Sequence, residues 1–308
     1  MNKNSKIFIA GHNGMVGSAI YRLLTNNEYD SIIVKNRQEL DLMNQSQVDD
    51  FFKTNKPEYV FLCAAKVGGI QANISHPATF LLDNLAIQNN VIQSSFNYGV
   101  KKMLFLGSSC VYPKECKQPM KEEYLMSGKL EPTNEGYAIA KIAGLKLIEG
   151  LRKEFGFNGI SIMPCNLYGP NDSFDLAHSH VLSALVKRFV DAHDENLSEI
   201  TLWGTGIARR EFMHVDDLAS ASLFMMLNYN ENEFINVGCG TDVSIKELAE
   251  LISGLVGYKG IINWDATKPD GMLKKCMDVS KMANLGFLPQ ICLEEGISQM
   301  IDLYKKTK

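Results

Sequence analysis

The sequence has no arrangement of cysteines or histidines that is typical of a disulfide framework or a structural metal site. Its seven cysteines are odd in number and scattered, with no C-x-x-C pair, and its six histidines form no H-E-x-x-H pattern. Unpaired cysteines suit a reducing compartment, so we expect a cytoplasmic protein.

Long apolar segments and an excess of positive charge are also absent. No apolar run reaches the length of a membrane span, and residues 1–14 contain no signal-peptide pattern. The net charge of −4 argues against general nucleic-acid binding, which needs a basic surface. We therefore expect neither a membrane nor a nucleic acid as a partner. The 308 residues, 45% hydrophobic and 21% charged, are typical of a globular protein of roughly two domains.

Short apolar runs alternate with amphipathic segments in the first half of the sequence. Buried strands that alternate with helices are typical of a doubly wound parallel sheet. We therefore predict an α/β fold of the Rossmann type, with an NADP-binding domain over residues 1–165 and a smaller C-terminal substrate-binding lobe over residues 166–308. Some segments of this lobe are expected to pack back on the first domain. The predicted strands cover residues 6–11, 31–35, 59–65, 102–108 and 159–164, and the predicted C-terminal helices cover residues 176–194, 216–228, 244–257 and 294–306.

A glycine-rich turn follows the first predicted strand and begins the first helix. Its pattern is G-x-x-G-x-x-G rather than G-x-G-x-x-G. Glycine lets the backbone turn tightly and approach a pyrophosphate, whose charge is favoured at a helix N-terminus. The turn predicts a dinucleotide site, with a purely structural glycine turn as the alternative. The residues of this site are Gly11, His12, Asn13, Gly14, Met15, Val16 and Gly17.

The end of the second strand bears on the choice between NAD and NADP. An NAD site usually has an acid about 20 residues after the turn, whereas this chain has Lys35-Asn36-Arg37 there. A basic end suits a 2′-phosphate, so we predict NADP(H) with Arg37 beside that phosphate, and a solvated basic loop as the alternative. Asp41 and Leu42 are expected to border the adenine, although Asp41 is equally suited to cap a helix.

Tyr137 and Lys141 are four residues apart in a predicted helix and therefore share one face. An ammonium near a phenol lowers the phenol's pKa and eases proton exchange with a carbonyl or an alcohol. The Y-x-x-x-K pattern alone is weak evidence. It is informative here because a phosphate-binding turn and a strand that ends in Ser108 accompany it.

Together, the glycine turn, the serine and the Y-x-x-x-K motif resemble the extended short-chain dehydrogenase/reductases. Segments along nearly the whole chain are similar to the GDP-L-fucose synthase family among them, including "FLGSSCVYPK", "EPTNEGYAIAKIAG", "REFMHVDDLA" and "KPDG". The resemblance implies an enzyme that uses NADPH to convert GDP-4-keto-6-deoxy-D-mannose to GDP-L-fucose, by epimerising C3 and C5 and then reducing the C4 ketone. It also implies a homodimer that pairs through helices near residues 80–98 and 134–155.

For the reduction, the resemblance assigns a role to each member of the motif. Tyr137 is the implied proton donor to the C4 oxygen. Lys141 is expected to hold the nicotinamide ribose and to lower the tyrosine's pKa, while Ser108 is expected to hydrogen-bond the substrate oxygen.

For the epimerisation, we predict Cys110 as the base, and the resemblance assigns the opposing acid to His180. Free cysteine and histidine both exchange protons near neutral pH. A lone cysteine at a strand end is otherwise a small hydrophobic residue, which is the alternative for Cys110. His178 is the alternative to His180.

The resemblance also points to residues that hold the two ligands. Arginine suits a diphosphate because its guanidinium donates two parallel hydrogen bonds. The implied substrate contacts are Arg188, Trp203, Arg210 and Asp270, with Lys268 as a weaker candidate and core packing as the alternative for Trp203. The further implied cofactor contacts are Lys141, His180 and Asn166, the last through its backbone. Asn13 departs from the family pattern, which has arginine there, so the margin of NADPH over NADH stays open.

Three other functions remain possible on this fold. The 4,6-dehydratases carry Thr-Asp-Glu where this chain has Ser108-Ser109-Cys110, and UDP-sugar 4-epimerases have Ser-Ala-Thr or a similar triplet. Neither of these patterns uses a thiol. A non-catalytic dinucleotide sensor tends to lose the tyrosine or the lysine, and both are present here.

Overall fold

The computed structural model describes residues 1–175, 179–268 and 270–308. The strands within these ranges are β1 (Ile7–Ala10), β2 (Ile32–Ile33), β3 (Tyr59–Leu62), β4 (Lys102–Leu106), β5 (Gly159–Pro164), β6 (Asn166–Tyr168), β7 (Glu199–Trp203), β8 (Arg209–Arg210), β9 (Phe212–His214), β10 (Ile235–Val237), β11 (Val243–Ser244), β12 (Ile261–Asp265) and β13 (Lys274–Lys275). The helices are α1 (Met15–Asn26), α2 (Gln45–Asn55), α3 (Ile70–Ser75), α4 (Pro77–Asn97), α5 (Glu135–Phe155), α6 (Val181–Asp194), α7 (Val215–Asn228), α8 (Ile245–Val256), α9 (Ser280–Asn284) and α10 (Leu293–Thr307). Single 3₁₀ turns cover Ser109–Val111, Glu122–Tyr124 and Pro132–Asn134.

Within the described ranges, six strands form one sheet in the order β10-β5-β4-β3-β1-β2, and every pairing in it is parallel. The chain passes from β1 to β2 on one side and then crosses to β3 on the other side of β1. The winding therefore reverses between β1 and β3. Ligands of such sheets bind beyond the carboxyl ends of the strands at this reversal, which is where the glycine turn lies.

The alternation of side chains along the strands separates the core into two apolar layers. In β1, Ile7 and Ile9 belong to the layer on one face of the sheet, while Phe8 and Ala10 belong to the layer on the other. All of these residues are essentially inaccessible to solvent. A parallel sheet covered by helices on both faces needs such continuous apolar strands, so the pattern that predicted these strands has a direct physical cause.

A further apolar cluster lies in the C-terminal half of the chain. It is centred on α6, α8 and α10, which contribute Leu182, Phe189, Leu248, Ile252 and Met300. The short sheets β12-β7, β11-β8-β13 and β6-β9 lie in the same half of the chain. No helix in the described part of the chain is long and apolar enough to cross a membrane.

The predicted Rossmann-type α/β fold is confirmed, but the chain is less cleanly divided than the boundary at residue 165 suggests. Strand β10 pairs with β5 in the main sheet, and α7 packs against α1, although both come from the C-terminal half. The division into two domains therefore stays a prediction. The predicted helix over residues 176–194 corresponds to α6, while residues 176–178, including His178, lie outside the described residues.

Candidate active site

The turn after β1 is held by very close backbone packing. Gly11 has a φ of +92°, and a Cβ atom there would lie 2.7 Å from the backbone nitrogen of Ala64. A Cβ atom on Gly17 would lie 2.1 Å from the carbonyl oxygen of Gly11. Because neither position has room for a side chain, α1 can approach β1 and β3 only with glycine at these two places.

The outer side of the same turn is open and suited to an anion. Gly14 is the N-cap of α1, and a Cβ atom there would meet only the Gly11 carbonyl oxygen, at 3.5 Å. The first turn of α1, which begins with Met15 and Val16, has no acidic residue, so the positive end of the helix dipole is not neutralised. Nδ1 of His12 is buried without a hydrogen-bond partner in the described residues, while Asn13 is exposed. These features fit a dinucleotide pyrophosphate.

The loop after β2 contains the residues expected to bind the adenine end of the cofactor. Lys35 pairs with Glu39, whereas Arg37 is exposed and forms no ion pair within the described residues. Asp41 accepts a hydrogen bond from the backbone of Met43. The N-cap of α2 is the next polar residue, Asn44, so the alternative role of Asp41 as a helix cap is wrong. Leu42 is half-buried, and its carbonyl accepts a hydrogen bond from Asn90.

Helix α5 presents Lys141 to the carboxyl end of β4. The side chain is only 3% exposed, and its Nζ donates a hydrogen bond of 2.8 Å to the carbonyl oxygen of Leu106. Nζ also lies 4.7 Å from the ring centroid of Phe105 and 5.8 Å from that of Tyr137. Burial lowers the pKa of Lys141 to about 8, because the charged form loses its hydration.

Tyr137 lies one helical turn before Lys141, and its hydroxyl hydrogen-bonds Ser108. Burial raises the pKa of this phenol, the neighbouring thiol of Cys110 raises it further, and the bond to Ser108 acts in the opposite direction. Ser108 also accepts a 3.2 Å hydrogen bond from the backbone nitrogen of Cys110. The structure therefore brings the tyrosine, the lysine and the serine together as a group able to protonate an oxygen.

Cys110 lies in polar surroundings, and its neighbours were not predicted from the sequence. The side-chain nitrogen of Asn134 donates a 3.1 Å hydrogen bond to Sγ. The Nζ of Lys275 lies 3.7 Å from the same sulfur atom. A thiol with two polar partners does not behave as a small hydrophobic residue, so these contacts favour a role in proton transfer.

His180 is the N-cap residue of α6 and therefore comes from the C-terminal half of the chain, whereas Cys110 comes from the N-terminal half. Its Nδ1 lies 3.4 Å from an oxygen of Asp172, whose carboxylate also accepts hydrogen bonds from the Ser183 hydroxyl and the Ser173 backbone nitrogen. The hydrogen bond to Asp172 raises the pKa of His180, with burial acting in the opposite direction. Sequence reasoning missed Asp172, although its place just after "LYGP" and beyond β6 was an available signal.

The residues expected to bind the nucleotide surround the end of β7. Arg188 donates a 2.9 Å hydrogen bond to the carbonyl oxygen of Thr201. Trp203 is 68% exposed, with the ammonium of Lys268 lying 5.7 Å from its ring centroid. Core packing is therefore the wrong explanation for this tryptophan.

Asp270 and Asn166 use their side chains to fix the surrounding backbone. The carboxylate of Asp270 accepts hydrogen bonds of 2.8 and 2.7 Å from the backbone nitrogen and the hydroxyl of Thr205. Its carbonyl oxygen lies 3.4 Å from a guanidinium nitrogen of Arg210. The amide of Asn166 donates a 2.8 Å hydrogen bond to the carbonyl oxygen of Glu211.

Among the residues that the structure describes, no cluster of histidine, cysteine and acidic side chains is placed to hold a metal ion.

Comparisons with known proteins identify relatives over the whole chain. Residues 7–238 match the family described as "NAD dependent epimerase/dehydratase family". A putative GDP-L-fucose synthase 2 of Arabidopsis thaliana is 53% identical over 304 residues, which cover 99% of this chain and 93% of that protein. The structure of a GDP-6-OMe-4-keto-L-xylo-heptose reductase from C. jejuni has a TM-score of 0.94 at 39% identity and covers 100% of this chain and 99% of its own. A gdp-l-fucose synthetase from Naegleria fowleri bound to NADP has a TM-score of 0.90 at 25% identity, with coverages of 100% and 96%.

The close packing of the glycine turn predicts the effect of Gly17→Ala. The new methyl group would overlap the Gly11 carbonyl, so the turn must move, at a cost of about 1–3 kcal/mol in stability. We expect the affinity for NADPH, measured by fluorescence titration, to fall at least about tenfold. Gly150→Ala is the matched control, since that helical glycine has nothing within 4 Å of the added atom. Equal NADPH affinities for the two variants would contradict this account of the turn.

The contact between Asp172 and His180 predicts a change in histidine titration. In Asp172→Asn the carboxylate is lost, so the pKa of His180 should fall relative to the wild type, as followed by NMR of the imidazole protons. The His180 signal can be assigned by its absence from a His180→Gln spectrum. Asp194→Asn is the control, because Asp194 lies 3.3 Å from His193 and should not affect His180. An unchanged titration of His180 in Asp172→Asn would show that the contact is not formed in solution.

Proposed function

The chain belongs to the NAD dependent epimerase/dehydratase family, and on that premise we propose that it makes GDP-L-fucose from GDP-4-keto-6-deoxy-D-mannose with NADPH. The reaction epimerises C3 and C5 and then reduces the C4 ketone. One observation carries the proposal: beside the tyrosine, lysine and serine of a reductase, the site holds a hydrogen-bonded thiol, Cys110. Reduction alone has no use for this group.

The same observation argues against the other functions of the fold. A 4,6-dehydratase needs an acid and a base to eliminate water, and Ser109 and Cys110 replace the two carboxylates of that pattern. A 4-epimerase of UDP-sugars has no step that requires a second base. A non-catalytic sensor is disfavoured because Tyr137 and Lys141 are both present and brought together.

NADP(H) is the cofactor of this enzyme, and the turn from Gly11 to Gly17 fits its pyrophosphate. We propose that Arg37 binds the 2′-phosphate, with Asp41 and Leu42 beside the adenine. This proposal is supported by the exposure of Arg37 and by its lack of an ion pair within the described residues. When bound, NADPH supplies the hydride that reduces the ketone.

In the proposed epimerisation, the Cys110 thiolate removes a proton from C3 or C5. These protons are acidic because both carbons flank the C4 ketone. The C–H bond breaks, an S–H bond forms, and the electron pair moves into an enolate whose oxygen accepts hydrogen bonds from Ser108 and Tyr137. His180 then donates a proton from the opposite face, so that a new C–H bond forms with inverted configuration. Support comes from the location of the two groups in different halves of the chain.

In the proposed reduction, Tyr137 transfers its phenolic proton to the C4 oxygen while Ser108 holds that oxygen. The raised pKa of Tyr137 keeps the phenol protonated until this step. Lys141 is fixed by its bond to Leu106, and we propose that it also binds the nicotinamide ribose. The expected lowering of the tyrosine's pKa by Lys141 is not found, because burial dominates and the pKa of Tyr137 is raised.

The GDP moiety needs cations and an apolar surface. We propose that Arg188 and Arg210 bind the diphosphate and that the exposed ring of Trp203 packs against the nucleotide. We propose that Asp270 also contacts the nucleotide, since its carboxylate holds the loop at Thr205 and each oxygen can accept a further hydrogen bond.

We also propose a cytoplasmic homodimer. All seven cysteines are free, as suits a reducing compartment. Helices α4 and α5 pack side by side, and their outer faces carry the exposed apolar residues Leu82 (64%) and Ile139 (43%). Pairing of these helices with those of a second copy would bury both side chains.

The proposed reaction is tested by incubating the enzyme with GDP-4-keto-6-deoxy-D-mannose and NADPH in heavy water. Each inversion takes its new proton from solvent, so the GDP-L-fucose formed should carry deuterium at C3 and C5. Cys110→Ala should slow the exchange at both carbons by about 10²–10⁴-fold, because alanine cannot accept the proton. Its NADPH affinity should equal that of the wild type.

Cys292→Ala serves as the control, since this cysteine is exposed and lies at the start of α10. A wild-type product reduced at C4 without deuterium at C3 and C5 would make the protein a simple C4 reductase. Exchange at the wild-type rate in Cys110→Ala would show that the thiol is not the base.

The dimer proposal predicts that charge on the α4–α5 face separates the subunits. The double change Leu82→Lys and Ile139→Lys would place two ammonium groups in the interface, so light scattering should report a monomer. Leu288→Lys is the control, because Leu288 is similarly exposed (61%) but lies outside these helices. A monomeric wild-type protein, or a dimeric double variant, would contradict the proposal.

A further inference from the structure

The register of the short sheet β11-β8-β13 gives its two adjacent lysines different surroundings. Lys274 is paired with Arg209, and Lys275 is paired with Arg210. Lys274 and Arg209 both form ion pairs with Asp242. Successive residues of a strand point to opposite faces, so Lys275 projects to the other face, where its Nζ lies 3.7 Å from the sulfur of Cys110.

Among the described residues, no acidic side chain pairs with Lys275 in competition with Cys110. No ion pair engages Lys275 there, whereas Lys274 forms an ion pair with Asp242. The sulfur atom has one further polar partner, the side-chain nitrogen of Asn134, which is neutral. The phenol of Tyr137 on α5 is a further titratable group near the thiol.

The backbone around Lys275 is held firmly. Its carbonyl oxygen accepts a 3.2 Å hydrogen bond from the backbone nitrogen of Glu211, and the buried Glu211 carboxylate accepts one of 2.8 Å from Met277. On the other side, the backbone nitrogen of Cys276 donates a 2.9 Å hydrogen bond to the side chain of Gln118. Lys275 therefore approaches the thiol from a strand whose backbone is held by hydrogen bonds.

We propose that Lys275 holds Cys110 in its thiolate form, so that a cation from the C-terminal half of the chain completes the base. A positive charge within about 4–6 Å favours the charged form of an acid, and lysine beside cysteine is a recognised cause of thiolate formation. Because only the thiolate can accept a carbon-bound proton, Lys275 sets the fraction of enzyme that is ready to epimerise. The base role rests on the proposed function, whereas the ionisation of the thiol does not.

The charge on the thiolate has a second effect on the site. The same negative charge disfavours ionisation of Tyr137, whose pKa Cys110 already raises. While Cys110 is charged, Tyr137 therefore stays protonated and able to hydrogen-bond the enolate oxygen. Lys275 is thus a positioning residue for the proposed base, Cys110. Through the charge on Cys110 it also helps to keep Tyr137 protonated.

The test measures the ionisation of Cys110 in the protein without substrate. Iodoacetamide alkylates thiolates, and peptide mass spectrometry reports the rate at Cys110 separately from the other cysteines. In Lys275→Met we expect roughly tenfold slower alkylation of Cys110 at neutral pH and a rate profile shifted to higher pH. Lys275→Arg should retain most of the wild-type rate because it keeps the charge. Lys274→Met should match the wild type, since its side chain pairs with Asp242.

NADPH titration verifies that each variant is folded, and Lys275→Gln replaces Lys275→Met if the latter is not. A wild-type alkylation profile in the neutral variants overturns the proposal. An equal loss in Lys275→Arg overturns it as well, because the role would then be steric. Slower exchange at C3 and C5 in Lys275→Met links the thiolate to epimerisation. If wild-type enzyme shows no exchange at all, the proposed function fails while the alkylation result still decides the thiolate proposal.

Discussion

The arrangement of the site depends on one buried ammonium. Lys141 is almost inaccessible, and its hydrogen bond to the carbonyl oxygen of Leu106 ties α5 to the last residue of β4. A buried charge without a partner would be costly, so this bond helps to hold α5 against the sheet, together with the buried side chains of the helix. Tyr137, one turn earlier, is thereby placed beside Ser108, which follows β4. The lowered pKa of Lys141, about 8, reflects the burial that this arrangement requires.

In the proposed mechanism, the C-terminal half of the chain supplies the parts that a reductase site alone would lack. Strand β13 brings Lys275 to Cys110, and the segment that begins α6 brings His180 to Asp172. The buried carboxylate of Glu211 holds this half in register by accepting hydrogen bonds from Gly240 and Met277. A buried acid that is bonded in this way connects segments that are far apart in the sequence. Its raised pKa comes chiefly from burial.

Features that depend only on residues close together in the sequence were predictable from it. The glycine turn, the Tyr137–Lys141 spacing and the apolar strands all follow from local geometry, and the structure contains each of them. The contacts of Asn134, Asp172 and Lys275 depend on tertiary packing. Tertiary packing leaves no periodic pattern in the sequence from which such contacts could be predicted. The same limit explains why β10, a three-residue strand, was not expected in the main sheet. The N-cap of α2 is Asn44 rather than Asp41, because residue type alone does not determine the residue at which a helix begins.

The charges around the site act on its acids and bases in complementary directions. The proposed base has a cation beside it. The proposed acid has a carboxylate beside it that raises the pKa of His180, and Cys110 raises the pKa of Tyr137. In the proposed mechanism each group thus has a neighbour that favours the state from which it starts, with Cys110 accepting a proton and His180 and Tyr137 donating one. Lys275 and His180 come from the C-terminal half of the chain, whereas Cys110 and Tyr137 come from the N-terminal half. This arrangement of charges around the acids and the base therefore exists only while the two halves are packed together.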